Sequence, residues 1–321
     1  MSRILLLLTL FVMNSCRGRE YLEEQPAFRN YSGTGILAFS SGREGVHGRR
    51  MILVDPESGA AYDLDPALKK DSIAGGVSFG AFRFLSSGEW AIVEKESPRR
   101  PLEPGLYLKA SGTYQKETRL ILTSQPGSPA EERILFEAGP DERIGAVAGN
   151  GHGLGAFCLI KNQNISFYTI GRNGPPVRVG ELSGYYVFDL AISRTGTVAA
   201  RISPIERQDE KLSPADIWIS EAFGPASSPG ILLKLRALDS PGFLTGRGFE
   251  GVKDLAFSPD GQTLAVLLSQ EDDCRMVDEG GNLGCRKNIR LIYSKSPNGR
   301  QLTKLRTTQA DRLDWIDLSD R

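Results

Sequence analysis

Three aspartates recur at one position of a repeating pattern. They are Asp189 in "DLAISRTGTVAARI" (189–202), Asp254 in "DLAFSPDGQTLAVLL" (254–268) and Asp314 in "RLDWIDLSDR" (312–321). Carboxylates delivered to one place by separate repeats could carry out glycan or peptide hydrolysis, one acting as acid and another as base or nucleophile. A repeat also repeats its structural bonds, however, and a residue recurring with the period of a fold is first of all part of that fold. Placement separates the two readings. Catalytic carboxylates converge on a channel mouth; structural ones bond backbone.

Other motifs offer less chemistry. "GVSFG" (76–80) has the Gly-x-Ser-x-Gly form of a nucleophile elbow around Ser78, but that elbow needs a strand before it and a helix after it. Here a polar "KKDSIAG" precedes and a strand-like run follows. "GNGHGLG" (149–155) has the look of a phosphate-cradling loop, yet it lies between two strand-like runs with no helix N-terminus, so it reads as a turn that places His152 on a rim. His47 falls in a basic hairpin loop. "EDDC" with Asp278 and Glu279 lacks the alternating oxygen ligands of a calcium loop and reads as solvated. With two histidines and no Cys-x-x-Cys, zinc spacing is missing. Trp90, Trp218 and Trp315 stand in predicted strands, where packing is their role. These residues predict no catalytic group, cofactor or metal site.

The 39 basic and 39 acidic side chains balance, and no basic stripe suggests nucleic acid as a partner. Frequent glycine and proline favour short strands and tight turns over long helices. The N-terminus is different. "MSRILLLLTLFVMNSC" sets Arg3 before an apolar run from Ile4 to Met13, about 15 Å long as a helix and too short for roughly 30 Å of hydrocarbon. Those are signal-peptide proportions. Ser15 then stands directly before Cys16, an arrangement that resembles the lipobox of bacterial lipoproteins, in which the cysteine is acylated and becomes the first mature residue. That resemblance implies a signal peptide over 1–15 and a lipid anchor at Cys16. The segment 16–33 reads as a polar tether, and with Arg17 after the cysteine the outer membrane or cell surface is expected rather than the inner membrane. In an oxidising compartment Cys274 and Cys285 are expected to bridge across the base of the loop between them, closing a ring for about 3 kcal/mol. Cys158, in the apolar "GAFCLIKN", reads as a small buried side chain.

The remainder, 34–321, is built from one motif: apolar strand, glycine turn, apolar strand. Gly88, Gly151, Gly196 and Gly261 align at the turn, and in "SPDG" Pro259 pre-sets a central φ while Asp260 can bond back to the backbone. A second strand–turn–strand half follows each time, at 49–65, 119–137, 164–181, 216–235 and 289–305. The sequence therefore predicts an all-β fold of four-stranded units, five in number, or six if 96–118 and 236–250 hold irregular strands. "TGILAFSS" (34–41) matches a second strand with no first, and 312–321 a first strand with no second. Their pairing would close a ring and remove two sheet edges.

"AFSPDGQTLAV" within 252–268 is similar to the repeat of TolB-type and WD40-like β-propellers of bacterial envelopes, of which the TolB-type usually has six blades. The resemblance implies a β-propeller carried by a lipoprotein. The function expected is a non-catalytic binding or scaffold module, anchored to a membrane through Cys16 and engaging an envelope or extracellular protein. The alternative is a carboxylate-based hydrolase of glycans or peptides acting at the propeller channel.

Overall fold

The computed structural model describes residues 33–39, 51–63, 68–69, 77–79, 82–84, 90–92, 102–103, 106–113, 116–124, 132–205, 216–220, 230–234, 249–276, 283–293, 302–308 and 312–317. Cys16 with the segment before it, His47, Gly88, Asp278 and Glu279 lie outside the described residues. The described elements are strands.

β1 (Thr34–Phe39), β2 (Met51–Val54) and β3 (Ala61–Asp63) begin the first sheet. The second comprises β4 (Leu68–Lys69), β5 (Val77–Phe79), β6 (Phe82–Phe84) and β7 (Trp90–Ile92), ordered β4-β7-β6-β5 with β4 parallel to β7. β8 (Leu106–Thr113), β9 (Lys116–Ser124) and β10 (Arg133–Glu137) make a three-stranded third sheet. The fourth runs in sequence order through β11 (Arg143–Gly149), β12 (Leu154–Lys161), β13 (Asn164–Gly171) and β14 (Val177–Ser183). β15 (Tyr185–Ile192), β16 (Val198–Pro204), β17 (Asp216–Ile219) and β18 (Ile231–Lys234) repeat that pattern as the fifth. So do β19 (Phe249–Phe257), β20 (Thr263–Met276), β21 (Leu283–Tyr293) and β22 (Leu302–Thr308) as the sixth. The last strand, β23 (Arg312–Asp317), returns to the first sheet and pairs antiparallel with β1, Thr34 opposite Asp317 and Phe39 opposite Arg312.

The described residues thus fall into six sheets, five of four strands and one of three. β6 and β7, which flank Gly88 in the sequence, and the 119–137 half expected to follow them belong to different sheets. β8, inside the stretch flagged for irregular strands, is what completes the third.

The core lies between sheets. In a strand, successive side chains point to opposite faces. Along β12, Ala156 and Cys158 join the apolar cluster shared with the fifth sheet, whereas Phe157 and Leu159 join the one shared with the third. β16 divides likewise: Val198, Ala200 and Ile202 face the fourth sheet and Ala199 the sixth. In β20, Ala265 and Leu267 pack on the first sheet through Ile36, Ala38 and Leu313, while Leu264, Val266 and Leu268 pack on the fifth. Each of these sheets has both faces buried, which explains the near-continuous apolar runs. Four-stranded antiparallel meanders stacked face to face in sequence order are the blade organisation of a β-propeller.

Trp218 anchors one such seam. Its indole is 1% exposed and stacks on Phe167 of the fourth sheet, with ring centroids 4.0 Å apart and planes 13° from parallel. Two glycines leave room for it: a Cβ on Gly180 or on Gly230 would stand 2.4 Å from the indole. Gly180→Ala is therefore expected to lower unfolding free energy by about 1–3 kcal/mol, measured by urea denaturation. Gly174→Ala, where a Cβ meets nothing within 4 Å, should stay within about 0.5 kcal/mol of the parent. Equal effects at the two positions would show that the seam does not need the missing methyl group.

Candidate functional site

The hairpin turns between first and second strands gather at one end of the fourth, fifth and sixth sheets, and their sequences dictate their shape. Gly151, Gly196 and Gly261 all take positive φ (76°, 94° and 71°), the left-handed region where a Cβ is costly. Ser193 and Ser258 play one part in successive turns. Each backbone carbonyl accepts the glycine N–H, and each hydroxyl accepts the N–H opening the second strand, from Thr197 and Thr263, at 2.9 Å. Asn150 Oδ1 takes the corresponding role in the fourth sheet, accepting from His152 N and Leu154 N at 2.8 and 3.2 Å. "GNGHGLG" is accordingly a turn, and Asp260 Oδ1 accepts from Gln262 N at 2.9 Å, the back-bond expected of "SPDG".

These turns touch one another. Asn150 Nδ2 donates to Ser193 O at 3.0 Å, and a Cβ on Gly261 would lie 2.9 Å from Thr195 Oγ1. His152 on this rim lies within electrostatic reach of Arg194 and Asp317. Partial burial lowers the His152 pKa from its ordinary value, Arg194 repels the imidazolium and lowers it further, and Asp317 opposes both.

The recurrent aspartates sit elsewhere. Asp189, Asp254 and Asp314 each accept the N–H of the following residue, Leu190, Leu255 and Trp315, at 2.9–3.0 Å. Asp189 and Asp254 directly follow register shifts in β15 and β19. The second oxygen of each then reaches farther. Asp254 Oδ2 accepts Leu313 N at 2.8 Å from β23, and Asp189 Oδ2 accepts Arg201 Nη2 at 3.3 Å. Arg201, only 13% exposed along its side chain, also donates to the carbonyls of Val252 and Lys253 in β19. These groups fasten neighbouring sheets together through first-strand backbone.

Other sequence candidates are dispersed. Ser78 lies in the middle of β5, a strand paired with β6, and not at a strand-to-helix turn. Cys158 is buried, and burial pushes its thiol up to about 11. Cys274 and Cys285 are direct ladder partners in β20 and β21. Among the described residues no group of three or more His, Cys, Asp or Glu is placed to hold a metal ion. At the opposite end from the turns, a cleft of about 250 Å³ is lined by Pro140, Asp141, Glu142, Arg143, Ile160 and Asn162. That is smaller than the roughly 300–1,000 Å³ usual for small-molecule sites. Sequence reading missed Arg201, whose acceptors are carbonyls about fifty positions away and leave no signature.

No protein-family model matches the chain, and no curated protein does either. Among solved structures, the periplasmic gluconolactonase of Pseudomonas aeruginosa is similar over 89% of this chain and 100% of its own, at 12% identity and a TM-score of 0.40. A puromycin-hydrolyzing peptidase of Mycobacterium tuberculosis is similar over 85% of this chain and 35% of its own (13% identity, TM-score 0.34). An oligogalacturonate lyase, solved with manganese, is similar over 81% and 59% (10% identity, TM-score 0.38). This chain therefore spans about a third of the peptidase and less than two thirds of the lyase. Likeness at these scores decides neither fold nor function here; the blade organisation rests on sheet order and packing.

Two outcomes are expected. Asp254→Ala takes the carboxylate from the buried Leu313 N–H and should cost about 1–3 kcal/mol of stability for that donor, read by denaturant unfolding. Retention of full stability would return Asp254 to the list of groups free for chemistry. In a His47→Gln background, which leaves one imidazole to observe by NMR, Arg194→Ala should raise the His152 pKa and Asp317→Asn should lower it. A shift of the opposite sign in either variant would place His152 away from that rim.

Proposed function

We propose that this chain is an exported, lipid-anchored β-propeller of six blades, closed by β23 on β1, acting as a non-catalytic binding or scaffold module in the bacterial cell envelope or at the cell surface. One observation carries the non-catalytic part. Asp254, among the recurrent carboxylates best placed by sequence for channel chemistry, is 1% exposed and spends both oxygens on backbone N–H groups. A carboxylate so buried and so engaged has no reach to a substrate. The anchor is supported by the signal-like "MSRILLLLTLFVMNSC" and the small residue before Cys16. Among the described residues no helix is long and apolar enough to cross a membrane. The rim turns on packed sheets supply the platform, since loops on a rigid scaffold vary in sequence without disturbing its core. The partner envisaged is an envelope or extracellular protein.

The test has two arms in intact cells. Mass analysis of the mature N-terminal peptide should find Cys16 acylated, and Cys16→Ser should release the protein from the membrane fraction. Crosslinking followed by denaturing purification should then recover one reproducible protein, lost when the 150–153 and 193–196 turns are exchanged for short glycine turns and kept in Asp189→Asn. A peptide or glycan turnover assay in which the purified protein is active, and Asp189→Asn abolishes that activity without unfolding it, would overturn the binding module and establish the hydrolase.

A further inference from the structure

We infer that Cys274 and Cys285 form a cross-strand disulfide that staples the β20–β21 ribbon at the far end of the sixth sheet. The need for a staple is visible in the register. β19 accompanies β20 as far as Gln270, which pairs with Phe249, and β22 accompanies β21 from Lys287, which pairs with Thr308. Beyond those points, among the described residues, β20 and β21 pair with each other, through Cys274 opposite Cys285, Arg275 opposite Gly284 and Met276 opposite Leu283. An isolated two-stranded hairpin is marginal in water. This one is also cut off from the sheet by a register shift between Ser269 and Cys274. The cysteines occupy the first pair after that shift, where one covalent bond holds the whole extension in register.

The backbone meets the geometric demand. Directly opposed residues of an antiparallel ladder have Cα atoms about 4.5 or 5.5 Å apart, according to whether the pair is hydrogen-bonded. Both separations fall within the roughly 4.4–6.8 Å that a disulfide spans. Competing partners are absent from the ribbon: Cys158 is buried in the fourth sheet, in β12. The step balances by thiol–disulfide exchange with a low-molecular-weight or protein disulfide donor. One cysteine thiolate attacks the donor to give a mixed disulfide, releasing one donor thiol. The second cysteine, deprotonated, displaces the other. The chain loses two hydrogens and the donor leaves as two thiols. The ribbon so closed is short, and its entropic gain comes from restricting the open state.

Arg275 lies between the two cysteines, so trypsin reports directly on the bond. The full-length protein is equilibrated with oxidised and reduced glutathione, its free thiols are blocked by alkylation, and it is digested without reductant. The expected product joins the peptide 254–275 to the peptide 276–286 and separates on reduction. Under native conditions, cleavage after Arg275 should be roughly tenfold or more faster in Cys274→Ser/Cys285→Ser than in the oxidised parent, because cleavage follows the population of the open ribbon. Reductant should speed cleavage of the parent and leave the double variant unchanged. Recovery of both peptides alkylated, or of either cysteine joined to Cys158 or to a second chain, would overturn the inference. Equal cleavage rates with the bond present would refute its stapling role.

Discussion

Burial of both faces of the fourth, fifth and sixth sheets is the constraint from which the rest of this structure follows. A lone four-stranded sheet with Phe157 on one side and Cys158 on the other would expose one apolar face however it turned. The sheets must therefore be stacked, and each seam is set by the shapes meeting there. Trp218 lies against Phe167 only because residues 180 and 230 carry no side chain. Packing to crystalline density leaves no slack for a methyl group at such a place, so the glycines belong to the core as much as the indole does.

Polar bonds add direction to this nondirectional packing. Apolar seams alone tolerate sliding. The carboxylate of Asp254 on Leu313 N–H, and the Arg201 guanidinium on the carbonyls of Val252 and Lys253, tie the first strand of one sheet to its neighbour at fixed points. Buried polar groups are stable when satisfied, and the Asp254 oxygens and Arg201 Nη1 are satisfied by backbone, which does not move independently of its sheet. The same engagement that locates the sheets keeps Asp254 buried, at 1% exposure.

The turns were the most legible part of the sequence. Glycine at 151, 196 and 261 is demanded by positive φ, and the serine or asparagine opening each turn has a hydroxyl or amide to spend on the backbone. The alignment of Asp314 with Asp254 also carried through to chemistry, since both accept the N–H that follows. In the third sheet, β9 and β10 were legible as the half at 119–137, and β8 was not. β8, "LYLKASGT", is half polar, begins after "RRPLEP" and has no glycine-turn partner before it, so neither alternation nor turn chemistry announces it. Inter-sheet bonds such as those of Arg201 were hidden for a different reason. Every residue supplies a backbone carbonyl, and a sequence gives no sign of which will be chosen.

The pairing of β1 with β23 bears on how the chain reaches this state. Thr34–Phe39 cannot find its innermost neighbour until Arg312–Asp317 is available, so the first sheet to be started is the last to be finished. Contacts of such long sequence separation are slow to form, since the loop entropy is spent before any bond is gained. Until then β1 carries an open edge, and the chain is exposed to pairing with other molecules. Loss of the final ten residues should thus be felt at the opposite end of the polypeptide, as aggregation during synthesis more than as a change in the finished blades.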